Sequence, residues 1–287
     1  MSILDRVGGA PISWGVCEAP DWGYELPADV VLDEMRGLGL RATELGPTGY
    51  LGREPADIRA RLDRYGLRLI GGFLPVLMHV PSTLAEARAA IDTLAAAGAQ
   101  LVVLAAQSGD SDGYDRAVPL SDVEWDALLS TVDELARLAR AAGLTPALHP
   151  HAGTAVADRA AVLRLLDGSD VPLCLDTGHL LIGGTEPLEL VERAAGRIAH
   201  VHLKDVRKAV LDSGAGYADA VRAGLYAPLG DGDLDIAGIV RALEESGYRG
   251  WYVLEQDTML PGPPAPGGGP VHDVRRSLDF LRTKVAA

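Results

Sequence analysis

The sequence predicts an α/β fold and, within that class, a closed (β/α)8 barrel of the TIM type. The first observation is an alternation of eight short apolar runs with longer Ala/Leu/Arg-rich segments of helical spacing. The second is that the runs are almost continuously apolar, as in parallel strands covered on both faces. A doubly wound sheet, the main alternative, would favour a GxGxxG loop after an early strand, and VGGAPIS lacks that spacing. Eight units therefore favour a barrel.

The predicted strands follow one another at the spacing that βα units require. They are Ala10–Gly15, Arg41–Gly46, Leu67–Phe73, Gln100–Ala106, Leu144–Pro150, Val171–Thr177, Ile198–Asp205 and Gly250–Gln256. Helices are predicted between them, for example over LAEARAAIDTLAAAG, WDALLSTVDELARLARAAG and IAGIVRALEESGY. The first two of these segments end in glycine, which commonly terminates helices.

One domain covering residues 1–287 is predicted, because single α/β barrels reach about this length. A content of 48% hydrophobic and 23% charged residues is typical of a globular protein with a large core. Two predicted loops are long, at 206–235 and 257–270; the first contains the short helical segment GYADAVRAG, and the second is rich in Pro and Gly. Both loops follow strands, so they lie on the carboxyl-terminal face, where barrel active sites are built.

The charge and the cysteines restrict the partners and the compartment. A formal net charge of −14 disfavours binding to nucleic acid or to anionic membranes. Cys17 and Cys174 form no CxxC motif, the first residues do not resemble a secretory segment, and no apolar run reaches the length of a membrane span. We therefore expect a cytoplasmic protein with reduced thiols, whose partner is a small molecule and which can form a homo-oligomer.

Four consecutive strands end in side chains that can bind a cation: His149, Asp176, His202 and Glu255. A mixed nitrogen and oxygen set suits a divalent ion such as Mn²⁺, Co²⁺, Mg²⁺ or Zn²⁺, and the lack of cysteine argues against structural zinc. Singly, each has another interpretation: a hydrogen-bonded rim histidine, a helix-capping aspartate or a solvated glutamate. Together they favour a metal site, since burying four such groups without a cation is costly.

Three more polar residues are expected beside this set and are candidates for proton transfer. His151 shares a strand face with His149, and His179 follows Asp176 in DTGHL, where it could also be an ordinary residue at a helix start. Lys204 can bind substrate oxygens or move a proton, or it can form a salt bridge with a rim carboxylate.

Candidates for substrate contact lie on other strands. They are Glu44, Trp14, His79 and Asp205. Glu44 at the second strand end can instead form a rim ion pair, and aromatic residues such as Trp14 often only pack. His200 lies deeper in its strand and is expected to fill the barrel.

The motifs PISWG, TELGPTGY, HPHAGT, LDTGHLLIGG, HVHLKDV and GDGDLDIAGIVRALEESGYRGWYVLEQD resemble the xylose-isomerase-like barrels of the sugar isomerase/epimerase superfamily, from Pro11 to about Asp257. Within it, the tract KDVRKAVLDSGAGYADAVRAGLYAPLGDGDLD is similar to the corresponding loop of the inosose dehydratases. The resemblance implies a divalent metal, commonly Mn²⁺ or Co²⁺, bound by one residue from each of the last four strands. His149 then stands where the isomerases and epimerases carry glutamate. The dehydratases also have a histidine-rich end of this strand. Pro150 and the GPPAPGGGP segment depart from the dehydratase pattern.

This substitution matters for the chemistry. Epimerisation by proton removal and return needs two bases, and His149 replaces one of them, whereas β-elimination needs one base and one acid. We therefore predict a metal-dependent dehydratase of a keto-inositol or related keto-polyol, acting through an enediolate, with Glu255 or Lys204 as base and His151 or His179 as acid. The alternatives are a ketose isomerase or epimerase, in which Glu44 would supply the second base, and a catalytically silent binding barrel.

Overall fold

A computed structural model describes residues 2–109, 117–265 and 268–285. It confirms the α/β barrel: the strands form one parallel sheet in the order β3-β2-β1-β11-β8-β7-β6-β5-β4. Its members are β1 (Val7–Gly9), β2 (Ala42–Thr43), β3 (Arg68–Leu69), β4 (Gly71–Val76), β5 (Leu101–Ala106), β6 (Thr145–Leu148), β7 (Leu173–Asp176), β8 (Ile198–Leu203) and β11 (Tyr252–Leu254). Two further short strands, β9 (Asp205–Val206) and β10 (Tyr226–Ala227), form a separate antiparallel pair.

The two ends of the strand order, β3 and β4, are halves of the third predicted strand. Only Ile70 separates them along the chain. The Ile70 amide donates to the Thr43 carbonyl at 2.9 Å, and the Ile70 carbonyl accepts from the Leu101 amide at 3.1 Å. One continuous segment thus pairs with β2 on one side and β5 on the other, which closes the barrel.

The first strand lies earlier than predicted. The predicted Ala10–Gly15 is wrong, because β1 is Val7–Gly9 and Pro11–Trp14 forms a 3₁₀ turn. A Cβ atom on Gly8 would lie 2.3 Å from the Ile70 side chain, so the crowded barrel interior requires glycine there. Glycine is normally a sign of a turn rather than a strand, which is why the pattern misplaced this element.

The helices surround the barrel. They are α1 (Ala28–Gly37), α2 (Pro55–Tyr65), α3 (Leu84–Ala97), α4 (Asp122–Ala141), α5 (Arg159–Gly168), α6 (Thr177–Ile182), α7 (Pro187–Ala194), α8 (Lys208–Leu211), α9 (Tyr217–Arg222), α10 (Ile236–Glu245) and α11 (Val271–Lys284). The three helices named from the sequence are confirmed. Helix α4 begins before the predicted Trp125, because Ser121 and Glu124 form a reciprocal capping box. None of the described helices is long and apolar enough to cross a membrane.

Both long loops are ordered by specific contacts where they are described. The Asp205 carboxylate accepts hydrogen bonds from the amides of Gly230, Gly232 and Leu234, which shapes the end of the 206–235 loop. In the 257–270 loop, residues 266 and 267 lie outside the described residues. The Leu260 carbonyl of that loop accepts from the Tyr24 amide at 2.8 Å, so the loop contacts the segment that follows β1.

Candidate active site

A cavity of about 430 Å³ opens among the carboxyl-terminal ends of the strands. Much of its wall is apolar and comes from Pro11, Ile12, Val16, Trp22, Phe73 and Pro75. Its polar side chains include Glu44, His149, His151, Lys204, Glu255 and Asp257. The sequence predicted five of these six polar residues, and Asp257 was missed.

The four predicted metal ligands converge beside this cavity. The Asp176 Oδ2 atom lies 3.3 Å from His149 Nε2 and 3.5 Å from His202 Nδ1, and His202 Nδ1 lies 2.5 Å from Glu255 Oε2. Three of the residues are buried, and Glu255 is 13% exposed. Ligand atoms at about 2.0–2.2 Å from one divalent ion are separated by distances of this order.

The hydrogen bonding of these atoms tests whether an ion fits. Within the described part of the chain, His149 Nε2, Asp176 Oδ2, His202 Nδ1 and Glu255 Oε2 are all buried and make no hydrogen bond. Buried polar atoms are rarely left unsatisfied, and each costs about 1–3 kcal/mol when it is. Asp176, His202 and Glu255 offer ligand atoms within 4.8 Å of one another, and His149 Nε2 lies beside the Asp176 carboxylate. This arrangement of unsatisfied nitrogen and oxygen atoms fits a divalent cation.

Asp176 has two roles, one for each carboxylate oxygen. Its Oδ1 accepts from the amides of Gly178 at 2.9 Å and His179 at 2.8 Å and thereby caps α6. The cap fixes the carboxylate so that Oδ2 points to the two histidines. The two interpretations of Asp176 from the sequence, a helix cap and a metal ligand, are therefore compatible.

The protonation of the two histidine ligands differs. Burial lowers the pKa of His149, so its imidazole is neutral at neutral pH. Burial acts in the same sense on His202, but Cys174, Glu255 and Glu44 outweigh it and hold the pKa of His202 well above its ordinary value. A metal ion can therefore bind Nδ1 of His202 only when it displaces the proton from that atom.

Lys204 lies between the ligand cluster and the cavity. Its Nζ is 2.7 Å from Asp257 Oδ1, 3.5 Å from Asp176 Oδ2 and 3.8 Å from Glu255 Oε2. Burial lowers the pKa of Lys204, but these three carboxylates together raise it well above its usual range. The structure thus contains a salt bridge between Lys204 and a rim carboxylate, that of Asp257, as considered from the sequence. This salt bridge keeps a protonated ammonium on the cavity wall.

His151 and His179 stack on each other, with ring centroids 3.7 Å apart. Only His151 lines the cavity; His179 lies behind it, with Nε2 3.0 Å from Lys204 Nζ. The Nδ1 of His151 donates to the Ala152 carbonyl at 2.8 Å, which makes Nε2 the proton-accepting atom of this ring. Burial holds the pKa of both histidines well below the ordinary value, so both are neutral.

Sequence reasoning missed Asp257, Tyr217 and Tyr226. The Tyr217 hydroxyl donates to Asp257 Oδ2 and lies 3.1 Å from the Tyr226 hydroxyl, while Lys204 Nζ lies 5.2 Å from the centroid of the Tyr226 ring. The signal for Asp257 was present, because it follows Glu255 by two residues at the end of a strand. The tyrosines belong to the 206–235 loop, where no periodic pattern indicates a position.

Three residues expected to contact substrate lie elsewhere. Trp14 is fully buried in the core, and its Nε1 donates to Glu34 Oε2 at 2.7 Å. His79 follows β4 in a turn and is outside the cavity wall. Asp205 is buried and engaged by loop amides. None of the three side chains is among the residues that line the cavity.

Glu44 does line the cavity, but its contacts are directed inward. Its Oε1 accepts from His200 Nε2 at 2.7 Å and from His202 Nε2 at 3.0 Å. His200 is thus more than barrel filling, since it shares an acceptor with a predicted ligand.

Comparison with known proteins agrees with the architecture. The profile of the family described as Xylose isomerase-like TIM barrel matches residues 32–284. The chain is 35% identical over 270 residues to an inosose dehydratase of Geobacillus kaustophilus, covering 88% of this chain and 87% of the relative. It is 36% identical over 271 residues to the rhizopine catabolism protein MocC of Rhizobium meliloti, covering 90% and 82%. A solved L-ribulose 3-epimerase shares the fold, with a TM-score of 0.71 at 18% identity over 98% of this chain and 94% of that one. The chain therefore belongs to the xylose isomerase-like TIM barrel family.

Proposed function

We propose that this protein is a metal-dependent dehydratase that removes water from a keto-inositol of the 2-keto-myo-inositol type or a related keto-polyol. The observation that carries the proposal is the position of Lys204, whose Nζ lies 3.5 Å from Asp176 and 3.8 Å from Glu255 on the cavity wall. This geometry puts a proton donor directly beside the ligand cluster. The similarity to inosose dehydratases supports the substrate class.

His149, Asp176, His202 and Glu255 would hold the ion. When bound, a divalent ion such as Mn²⁺ or Co²⁺ supplies Lewis acidity, which makes a C–H bond beside a substrate ketone easier to break. The same set can bind Mg²⁺ or Zn²⁺, so the choice of metal rests on the resemblance to the family.

The proton transfers follow from the charge states of the cavity wall. The carboxylate of Glu255 takes the proton from the carbon next to the ketone, and the electron pair of that bond forms the C=C bond as the β C–O bond breaks. The Lys204 ammonium gives a proton to the departing hydroxyl, which leaves as water. Glu255 and Lys204 are neighbours, with Oε2 and Nζ 3.8 Å apart, so a proton passed from the Glu255 carboxyl to the Lys204 amine, directly after a small movement or through one water, restores both groups.

The two histidines take supporting roles in this scheme. Their low pKa leaves neither with a proton to give at neutral pH beyond its single N–H. His151 presents Nε2 as an acceptor for a substrate hydroxyl, and the His179 ring packs behind Lys204, with Nε2 3.0 Å from Nζ. The acid is thus assigned to Lys204 rather than to either histidine.

The cavity wall favours an uncharged polyol. Lys204 is its one Lys or Arg side chain among the lining residues that the structure describes, against the carboxylates of Glu18, Glu44, Glu255 and Asp257. Such a wall offers no cluster of Arg or Lys side chains, the groups that usually bind the phosphate of a phosphorylated sugar. Phe73 and Trp22 supply apolar surface for the C–H face of a ring, and the volume lies within the usual range for small-molecule sites.

A ketose isomerase or epimerase is the second candidate, since solved epimerases share the fold. It would need Glu44 as a second base. The contacts of Glu44 with His200 and His202 oppose that role, because a carboxylate oxygen that accepts two hydrogen bonds is a weak base.

Incubation of the Mn²⁺-loaded protein with keto-inositols and ketohexoses in deuterated water separates the candidates. A dehydratase releases water from 2-keto-myo-inositol and produces the ultraviolet absorbance of an enolised dione. An epimerase instead incorporates deuterium into a recovered ketose without loss of water. Absence of both reactions over the whole panel would contradict the proposal, with chelator-treated protein as the blank.

A further inference from the structure

We propose that Glu44 is a positioning residue of the metal site: its hydrogen bond to Nε2 of His202 turns that ring so that Nδ1 faces the other ligands. The inference rests on the metal site of the proposed function, and it assigns Glu44 a task different from substrate contact.

The fold brings these side chains together across the barrel. His200 and His202 lie two residues apart on β8, so both point to the same, inner face. Glu44 directly follows β2, three positions away in the strand order, and reaches both rings. Its Oε1 lies 2.7 Å from His200 Nε2 and 3.0 Å from His202 Nε2. All three side chains are buried, with Glu44 6% exposed.

The donor and acceptor types fix the tautomer of His202. A carboxylate oxygen only accepts, so the Nε2 atom of His202 must carry the N–H. When a metal ion displaces the second proton, the neutral imidazole keeps a single N–H on Nε2, and the lone pair therefore lies on Nδ1. That atom is 3.5 Å from Asp176 Oδ2 and 2.5 Å from Glu255 Oε2, with no hydrogen bond among the described residues. A carboxylate that orients a ligand histidine from its far nitrogen is a common feature of metal sites.

The second histidine explains why Glu44 is held in this position. A buried carboxylate needs hydrogen-bond donors, and His200, two residues before His202 on the same strand face, supplies one. The two rings pack edge to face, 4.9 Å apart at 83°, and both N–H groups reach the same oxygen. Glu44 is therefore engaged on the protein side although it borders the cavity.

The test compares Glu44→Gln with the unchanged protein by metal titration in the absence of substrate. The glutamine keeps the shape but loses the charge, and we expect 10- to 100-fold weaker binding of Mn²⁺ or Co²⁺. We also expect an altered visible absorption spectrum of the Co²⁺-loaded protein, because a neutral amide oxygen holds the His202 ring less strongly than a carboxylate does. The matched control is Glu244→Gln, which removes a carboxylate bonded to Arg6 and Tyr252 and should change neither reading.

A second measurement needs no variant. Nitrogen NMR of the histidine rings in Zn²⁺-loaded protein should show His202 protonated at Nε2 and bound to the metal through Nδ1. The opposite tautomer would overturn the inference. So would an unchanged metal affinity and Co²⁺ spectrum in Glu44→Gln, or a variant whose only change is a higher KM. Any of these results would overturn the role of Glu44 but would leave the dehydratase proposal standing. Failure of the unchanged protein to bind any metal would overturn both proposals.

Discussion

The Nζ atom of Lys204 and the Oδ1 atom of Asp257 form a buried salt bridge of 2.7 Å on the wall of the cavity. Buried pairs of this kind add little net stability, because desolvation offsets most of the attraction. Its place beside the ligand cluster gives the pair a chemical purpose instead. It keeps a buried ammonium group protonated and fixed on the cavity wall.

Replacement of Lys204 by Met should remove the proton donor while keeping most of the side-chain volume. We expect the rate of dehydration to fall about 10²- to 10⁴-fold, the usual contribution of a positioned acid or base. Metal affinity should stay the same or become tighter, since a positive charge near Asp176 and Glu255 is lost. Rate assays and metal titration check both points, and a near-normal rate would exclude Lys204 as the acid.

Asp257→Asn and Tyr217→Phe test how the ammonium is held. The first removes the charge that faces Lys204, and we expect a loss of kcat of about 10- to 100-fold, by analogy with other residues that orient a site. The second removes one hydroxyl that donates to Asp257, and a lost hydrogen bond of about 1 kcal/mol corresponds to a several-fold smaller kcat. We expect the larger loss of kcat in Asp257→Asn. An equal loss in the two variants, or no loss in either, would contradict this expectation.

Asp176→Asn should abolish or strongly weaken metal binding without unfolding the protein. Asparagine can still accept the two amide hydrogen bonds that cap α6, but it lacks the anionic oxygen that faces the histidines. Metal content after dialysis and thermal unfolding measure the two effects. The control is Asp158→Asn, another helix cap, which accepts from the Ala161 amide away from the cavity and should retain the metal.

Metal binding should release about one proton from the histidine ligands at neutral pH. The pKa of His202 is raised, so without metal its ring stays protonated until the pH rises above that value; the pKa of His149 is lowered, so it has no proton to lose. Metal affinity should therefore fall about tenfold per pH unit as the pH decreases through this range. Calorimetry in buffers of different ionisation enthalpy counts the protons that are released. A metal affinity that does not change with pH would show that metal binding displaces no proton from His202.

The barrel and the convergence of the four predicted ligands could be predicted because they depend on repeating patterns. Apolar runs of strand length mark the sheet, and the ends of parallel strands meet on one face, which places His149, Asp176, His202 and Glu255 together before any coordinates. The first strand was misplaced because Gly8 fits a crowded interior rather than a turn. That requirement comes from Ile70, which is distant in sequence.

The remaining parts of the site depend on contacts that no local pattern reveals. Tyr217 reaches Asp257 from a loop 40 residues away in sequence. Glu44 was expected at the rim, but the partners that direct it inward, His200 and His202, lie across the barrel. Trp14 was expected at the substrate, but its indole N–H is directed to Glu34 by the 3₁₀ turn that replaces the predicted strand.

Activity measured against added metal tests the central claim most directly. Metal-free protein receives increasing Mn²⁺ or Co²⁺ up to two equivalents, and water loss from 2-keto-myo-inositol is followed at each step. We expect no reaction without metal, a linear rise in rate with added ion and a plateau at one ion per chain. A full rate of dehydration in the chelator-treated, metal-free protein would contradict this expectation.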